Sequence, residues 1–411
     1  MSTLDIAFVR AQFPSFADPA TARWAHLEHA GGSYCPHQVV DLVAALFARA
    51  KCQPNWGFGP SVLATEAMTR ARTAMAELCN AEADEIHFGP STSQNTYVLA
   101  KAMRPMWNDG DEIVVTDQDH EANSGAWRRL ADTGITVKEW AVDPETGLLD
   151  EGALDGLITE RTRLVAVCHA SNIAATVNPI RSIADRIHAV GGHLVVDGVS
   201  YAPHGVVDVD ALDCDVYLYS TYKIYGPHVG LMYTRASVLA EMANQAHFFK
   251  EDQPEAYLTP AGPDHAAIGA TAGIAEYYDA VAAHHGITAP GRLDRARALF
   301  SLFAAHEEVL MAPLLELLAS KDGVRLVGAP EPRHDVRAPT VSFHSAKTSS
   351  ATIYQALIDA EVSCGHGNFY AHRLMTALGL DIDDGVARLS AVHYNTTEEI
   401  ARACDVLDAV L

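Results

Sequence analysis

Short β-branched runs alternate with longer helix-patterned stretches through the middle of the chain. The runs are Ile113-Val114-Val115, Leu164-Val165-Ala166-Val167, Leu194-Val195-Val196, Val216-Tyr217-Leu218 and Gly230-Leu231-Met232-Tyr233. Strands buried on both faces need near-continuous apolar runs of this length, so the alternation predicts an α/β fold with a mostly parallel, helix-covered sheet. Polar residues collect where the runs end. Asp117, Asp119 and His120 follow the first; His169, Ser171 and Asn172 the second; Asp197 and Ser200 the third; Ser220 and Lys223 the fourth. Some of these must be ordinary turn and cap residues. Ligands of open α/β sheets bind outside the carboxyl ends of the strands, so the coincidence places one crevice where these segments converge.

A further element supplies an anion site. Ile86-His87-Phe88 reads as a short strand, followed by Gly89-Pro90-Ser91-Thr92-Ser93-Gln94-Asn95 and a helical stretch to about Ala102. Glycine allows close backbone approach, and a helix N-terminus offers free amides and the positive end of its dipole. Ser91, Thr92 and Ser93 add hydroxyls, although the same residue types serve as plain N-caps. Lys223 follows an apolar run and the cluster Ser220-Thr221-Tyr222, and Asp197 closes Leu194-Val195-Val196. A buried lysine has a depressed pKa and forms a Schiff base readily, and a carboxylate keeps a pyridine nitrogen protonated. The pair is how an enzyme holds pyridoxal phosphate, with the ring as electron sink. Taken singly, each residue reads as well as a snorkelling surface lysine or a turn aspartate.

The chain ends differ in pattern from the middle. Residues 1 to about 60 hold the turn-rich Leu27-Glu28-His29-Ala30-Gly31-Gly32-Ser33 and a helix near Pro36 to Arg49. From about 285 the order is helix, strand near Val324-Leu326, strand near Thr340-Phe343, helix near Ala351-Ala360 and a helix after Thr397. A length of 411 residues exceeds what one hydrophobic core usually serves, so two domains are expected. Twenty-nine basic against 52 acidic residues give a net charge of −23, which argues against nucleic acid and anionic membrane partners. The seven cysteines are scattered with no Cys-x-x-Cys pair and read as reduced thiols of a cytoplasmic protein. Met1-Ser2-Thr3-Leu4-Asp5-Ile6 has no leader-like charge and apolar pattern, and no apolar run approaches a bilayer span. Metal-ligand spacing is absent, since His120-Glu121 finds no second ligand and His284-His285 reads as a solvated helix end.

From about Glu28 to Thr397 the chain resembles the class V aminotransferases, a group of fold-type I pyridoxal phosphate enzymes, and within it the cysteine desulfurase-like branch. The resemblance rests on the 27–33 segment, Asp119-His120-Glu121-Ala122-Asn123, His169-Ala170-Ser171-Asn172, Val196-Asp197-Gly198, the run from Ser220 to Pro227, and the run from Arg388 to Thr396. It implies a large domain over 31–284 with a mainly parallel seven-stranded sheet, a small α+β domain over 285–411, and an N-terminal segment, 1–30, packing with the small domain. It further implies a homodimer whose active site lies near the subunit interface. Residue by residue, Lys223 matches the cofactor-bearing lysine, Asp197 the pyridinium partner and His120 the ring stacked on the cofactor. Asn172 matches the partner of the phenolic oxygen. Ser91, Thr92, Ser93, Ser200, Ser220 and Tyr222 complete the cofactor set, Tyr222 standing where many members have histidine. Arg388 matches the arginine that grips a substrate carboxylate, with Gly31, Gly32 and Asn368 beside it.

Departures bear on function. Desulfurases carry a persulfide-forming cysteine shortly after a Gly-His pair, whereas Gly365-His366 is followed by Gly367-Asn368-Phe369-Tyr370. Cys364 precedes the pair and reads better as a packed thiol than as a nucleophile. Gly262 stands where the family places a threonine reaching the neighbouring subunit's phosphate, with His265 nearby as a substitute. The expectation is therefore a pyridoxal phosphate enzyme for a small amino acid, a β-eliminating carbon–sulfur lyase first, with aminotransfer and epimerisation as alternatives. A catalytically idle, cofactor-binding regulator is the reading from outside enzymology, and the intact set of Lys223, Asp197 and Arg388 stands against it.

Overall fold

The computed structural model describes residues 3–411; Met1 and Ser2, the start of the segment read above for a leader, lie outside the described residues. In chain order the strands are β1 (Ala25–His26), β2 (Ile86–Gly89), β3 (Glu112–Thr116), β4 (Thr136–Trp140), β5 (Thr162–Cys168), β6 (His193–Asp197) and β7 (Val216–Ser220). There follow β8 (Gly230–Thr234), β9 (Val324–Val327), β10 (Thr340–Ser345), β11 (Val362–Ser363), β12 (Gly365–Gly367) and β13 (Val386–Ser390). A seven-stranded sheet has the order β2-β8-β7-β6-β5-β3-β4. Strands β3 to β7 pair in parallel, and β8 runs antiparallel to both β7 and β2. Hence β2 points the same way as β7, and the helix Thr92–Met103 that follows β2 begins at the edge where β3, β5, β6 and β7 end.

Alternation along the strands feeds two cores, one on each face. Val114, Val165, Val167, Leu194, Val196 and Tyr217 enter one, and Ile113, Val115, Leu164, Ala166, Val195 and Leu218 enter the other. Burial of both faces is the reason the runs read as apolar throughout. The smaller sheet, β12-β13-β10-β9, is antiparallel and packs its own core of Val341, Phe343, Leu389 and the helices Ser350–Asp359 and Thr397–Val410.

The ends of the chain divide differently from the expected boundaries. Strand β1 pairs in parallel with β11, and Ala25 and Leu27 sit in the small core. Val9 and Phe13 instead join the large core, where the Phe13 ring packs edge-on against Tyr225, Tyr277 and Tyr394. The described part of the segment expected over 1–30 is thus split between both units. Likewise the helix Arg292–Ala319 gives Leu299 and Phe303 to the large core and Leu310, Leu314 and Leu318 to the small one, so the junction falls inside a helix. That helix is long and apolar enough to cross a membrane by length and composition, and half of its most apolar window is buried within the protein.

Candidate active site

Strand ends β3, β5, β6 and β7 and the start of the helix Thr92–Met103 enclose a cavity of about 470 Å³. Lys223 reaches it from the short turn Thr221–Lys223 that follows β7. Thr221 pins that turn, its amide donating to Val229 O at 2.8 Å and its hydroxyl to Pro227 O. The lysine is buried, and its ammonium donates to Ala30 O. Burial, with the Arg388 charge adding to it, pushes the amine down to about 8, against the pull of Glu28 and Asp197. Asp197 ends β6 and accepts from Val199 N at 2.9 Å. Burial raises its carboxyl to about 6, partly offset by Lys223. Beside it Asp119 accepts from Asn123 Nδ2 at 2.9 Å and from the Thr116 hydroxyl, and burial lifts it to about 7. Two buried carboxylates with so little compensating charge suit a cationic N–H arriving between the strand ends.

Opposite lies an anion cradle. Ser91 caps the helix Thr92–Met103, accepting from Gln94 N at 3.2 Å, and Thr92 Oγ1 meets Ser220 Oγ at 2.7 Å. Gly230 keeps this turn close to β8: a methyl group there would strike the Ser91 backbone and lie 2.7 Å from Thr92 N. Unpaired amides at the start of a 12-residue helix, with Ser91, Thr92, Ser93 and Ser220 hydroxyls on the cavity wall, fit a phosphate. Tyr222 and His228 also line this wall, their rings stacked at 4.5 Å and 4°.

His120 caps the helix Glu121–Arg128, its Nδ1 accepting from Ala122 N at 2.9 Å, so the proton belongs on Nε2. Burial, then the charges of Lys223 and Arg388, push the ring down to about 4. A neutral, flat imidazole therefore borders the cavity. Asn172 and Ser200 line it as well, and Asn172 Oδ1 is buried without a partner. His169 stands back, stacked on Tyr201 at 3.6 Å and bonded to the Tyr217 hydroxyl at 2.8 Å.

The family model described as Aminotransferase class-V matches residues 25–403. The chain belongs to the class V aminotransferases. Aminotransferase-like protein FGM3 of Gibberella zeae is 35% identical over all of this chain and 99% of its own length. Cysteine desulfurase-like protein ustD of Aspergillus flavus is 31% identical over 100% and 91%. The nonribosomal peptide synthetase-like enzyme fsqF of Aspergillus fumigatus is 36% identical over 82% of this chain, which spans 22% of that protein's length. Among solved structures, the cysteine desulfurase of Thermococcus onnurineus superposes with a TM-score of 0.85 over 100% of this chain and 98% of that one, at 22% identity. The Escherichia coli desulfurase CsdA gives 0.82 over 100% and 99%, at 23%. These likenesses carry the fold.

Class V aminotransferases depend on pyridoxal phosphate, and the residues present fit it: a lysine with a depressed pKa, a cation-seeking Asp197, a glycine-lined anion cradle and the orphaned Asn172 amide oxygen. On the substrate side the placement differs from the sequence expectation. Arg388 on β13 is buried behind the cavity wall. Its Nη2 donates to Glu28 Oε1 at 2.6 Å, its Nη1 to Asn172 O at 3.2 Å, and its guanidinium lies 3.7 Å from the Phe369 ring centre. Asn368 turns away, donating to Ile382 O at 3.2 Å and accepting from Tyr370 N at 3.1 Å. Gly31 packs against Glu28, and Gly32 faces the Tyr222 ring. Asp264 caps the helix that begins at His265, which does not line the cavity.

Sequence reasoning passed over Glu28, Tyr97, Glu121, Cys168, His228 and Tyr370 as site residues. His228 stood in plain view within the lysine run, and its spacing from Tyr222 was the available signal. Glu28 lay within the 27–33 run, but its pairing with Arg388, 360 residues away, left no local signal.

Proposed function

We propose that this enzyme removes a β-substituent from a small amino acid, with carbon–sulfur cleavage as its first activity, and that it does so without an enzyme persulfide. The observation that carries the proposal is where its thiols sit. Cys364 is packed in the small-domain core, and burial, with Glu28 adding, pushes its thiol up to about 12. Among the described residues, Cys168 is the only cysteine on the cavity wall. It is buried, donates to Gln118 Oε1 at 3.5 Å, and is held well above the ordinary thiol range by burial and by Asp119 and Asp197. Neither is a thiolate ready to accept sulfur.

When bound, pyridoxal phosphate supplies the sink for electrons released at the substrate α-carbon. The chain supplies the rest. Asp197 would hold the ring nitrogen, the Ser91 to Ser93 turn would hold the phosphate, and neutral His120 would lie against the ring without adding charge. Lys223 Nζ, half neutral near pH 8, takes the α-proton. Arg388, whose guanidinium meets Glu28 here, is the group that would take the substrate carboxylate through its planar fork and so fix the orientation of the α-carbon. A leaving group then departs from the β-carbon into solvent. Aminotransfer, the reading that the Gibberella zeae relative's name favours, uses the same residues and differs in keeping the β-substituent on the keto acid and passing the amino group on rather than releasing it as ammonia.

We place the protein in a reducing cytoplasm, a reading supported by seven unpaired cysteines, and as a homodimer through the apolar face described below. A panel of L-amino acids, screened for a spectral shift of the bound cofactor and then for product, tests the reaction. Cys364→Ser keeps turnover of a β-thio amino acid within about twofold. Loss of most activity with the cofactor still bound would restore a desulfurase mechanism.

A further inference from the structure

Glu28 has no task in the proposed reaction, yet it occupies the residue assigned to hold the substrate. The turn after β1 bridges to Ser390 on β13 and brings its carboxylate onto Arg388. Only one hydrogen bond joins them. Glu28 Oε2 and Arg388 Nε are both buried without partners, so the pair lacks the two-point fork of a carboxylate at rest on a guanidinium. Gly31 and Gly365 make room for this acid: a methyl group on the first would lie 2.7 Å from Oε1, and on the second 3.2 Å from Oε2.

The Phe369 ring covers the guanidinium, its centre 3.7 Å away. Phe369 and Tyr370 both adopt left-handed backbone, at φ 49° and 61°, which neither side chain favours. Asn172 Nδ2, donating to Phe369 O at 3.0 Å, and Glu121 N, donating to Tyr370 O at 2.9 Å, hold them there. Both tethers come from the cavity rim.

We infer that Glu28 is a specificity-determining residue, an internal carboxylate that fills Arg388 in the substrate's place beneath Phe369, so that a carboxylate ligand gains the arginine only by displacing it. Two carboxylates on one guanidinium in a buried site would repel, and the singly bonded Glu28 is the one that yields. The cost falls on ligands that carry a carboxylate and spares those that do not. This inference rests on Arg388 being the carboxylate's partner.

The test uses holoenzyme and two probes, L-alanine and ethylamine, titrated by the absorbance of the bound cofactor. Glu28→Gln tightens L-alanine about tenfold and leaves ethylamine within about twofold. Phe369→Ala, which removes the cover and keeps the charge pair, speeds L-alanine association and leaves ethylamine unchanged. Should Glu28→Gln leave L-alanine unchanged, or shift both probes alike, Glu28 only braces the fold and the inference falls. Arg388→Lys separates the two claims. If it abolishes the L-alanine preference while Glu28→Gln does nothing, only the Glu28 inference is overturned. If Arg388→Lys leaves the ratio of the probes untouched, the assignment of Arg388 is overturned with it.

Discussion

A lysine attacks a carbonyl only as the neutral amine, and the fold depresses Lys223 to about 8 by burial and by the nearby Arg388 charge. Below that pH the ammonium dominates and capture is slow; above it the amine is free. The rate at which apoprotein captures pyridoxal phosphate should therefore rise between about pH 7 and about pH 9 with a midpoint near 8. Absorbance of the covalent product at successive pH values reads it, and a rate still climbing steeply beyond pH 9.5 would show an ordinary surface lysine. Lys223 and Asp197 were legible in the sequence because each stands at the end of an apolar run whose direction fixes where the next residues point. The state of Arg388 was not, since its guanidinium is occupied by Glu28 and covered by Phe369, which reach it only through tertiary packing.

Between elements, the phosphate end depends on how closely the turn Ser91 to Ser93 approaches β8. Gly230 sits where any side chain would meet the Ser91 and Thr92 backbone, which cannot give way as a flexible side chain would. Gly230→Ala is expected to weaken cofactor binding about tenfold, read by titrating apoprotein with pyridoxal phosphate, while the far-UV spectrum stays unchanged. Undiminished affinity would show that the turn is not the cradle. The parallel strands were readable from the β-branched runs, and the polar residues at their ends marked the edge of the sheet where the cavity lies. The antiparallel setting of β8 was not readable, because an apolar run buried on both faces looks the same in either direction.

For the whole molecule, the helices His37–Arg49 and Gly59–Cys79 bury one face in the large core, yet they and the loop between them also leave large apolar side chains exposed. Phe47 is 51%, Trp56 65%, Phe58 52% and Leu63 45% exposed, and Tyr97, at 46%, carries the patch to the cavity wall. These are the side chains that the proposed homodimer would cover. Light scattering should give a dimer for the native chain and a monomer for the Trp56→Glu, Leu63→Glu variant; a native monomer would contradict the assembly. Two units were legible from length and from the change of pattern near residue 285, but their junction was not. The helix Arg292–Ala319 keeps one period while changing which core it faces, and nothing local to the sequence records that change. The central claim, elimination without sulfur passing to the enzyme, is tested most directly by giving holoenzyme L-cysteine, or the best β-thio amino acid from the panel, and following products and intact protein mass together. The account predicts pyruvate, ammonia and the free thiol or sulfide in equal amounts, with the protein mass unchanged. Alanine as the product, with the protein gaining the mass of a sulfur atom, would contradict it.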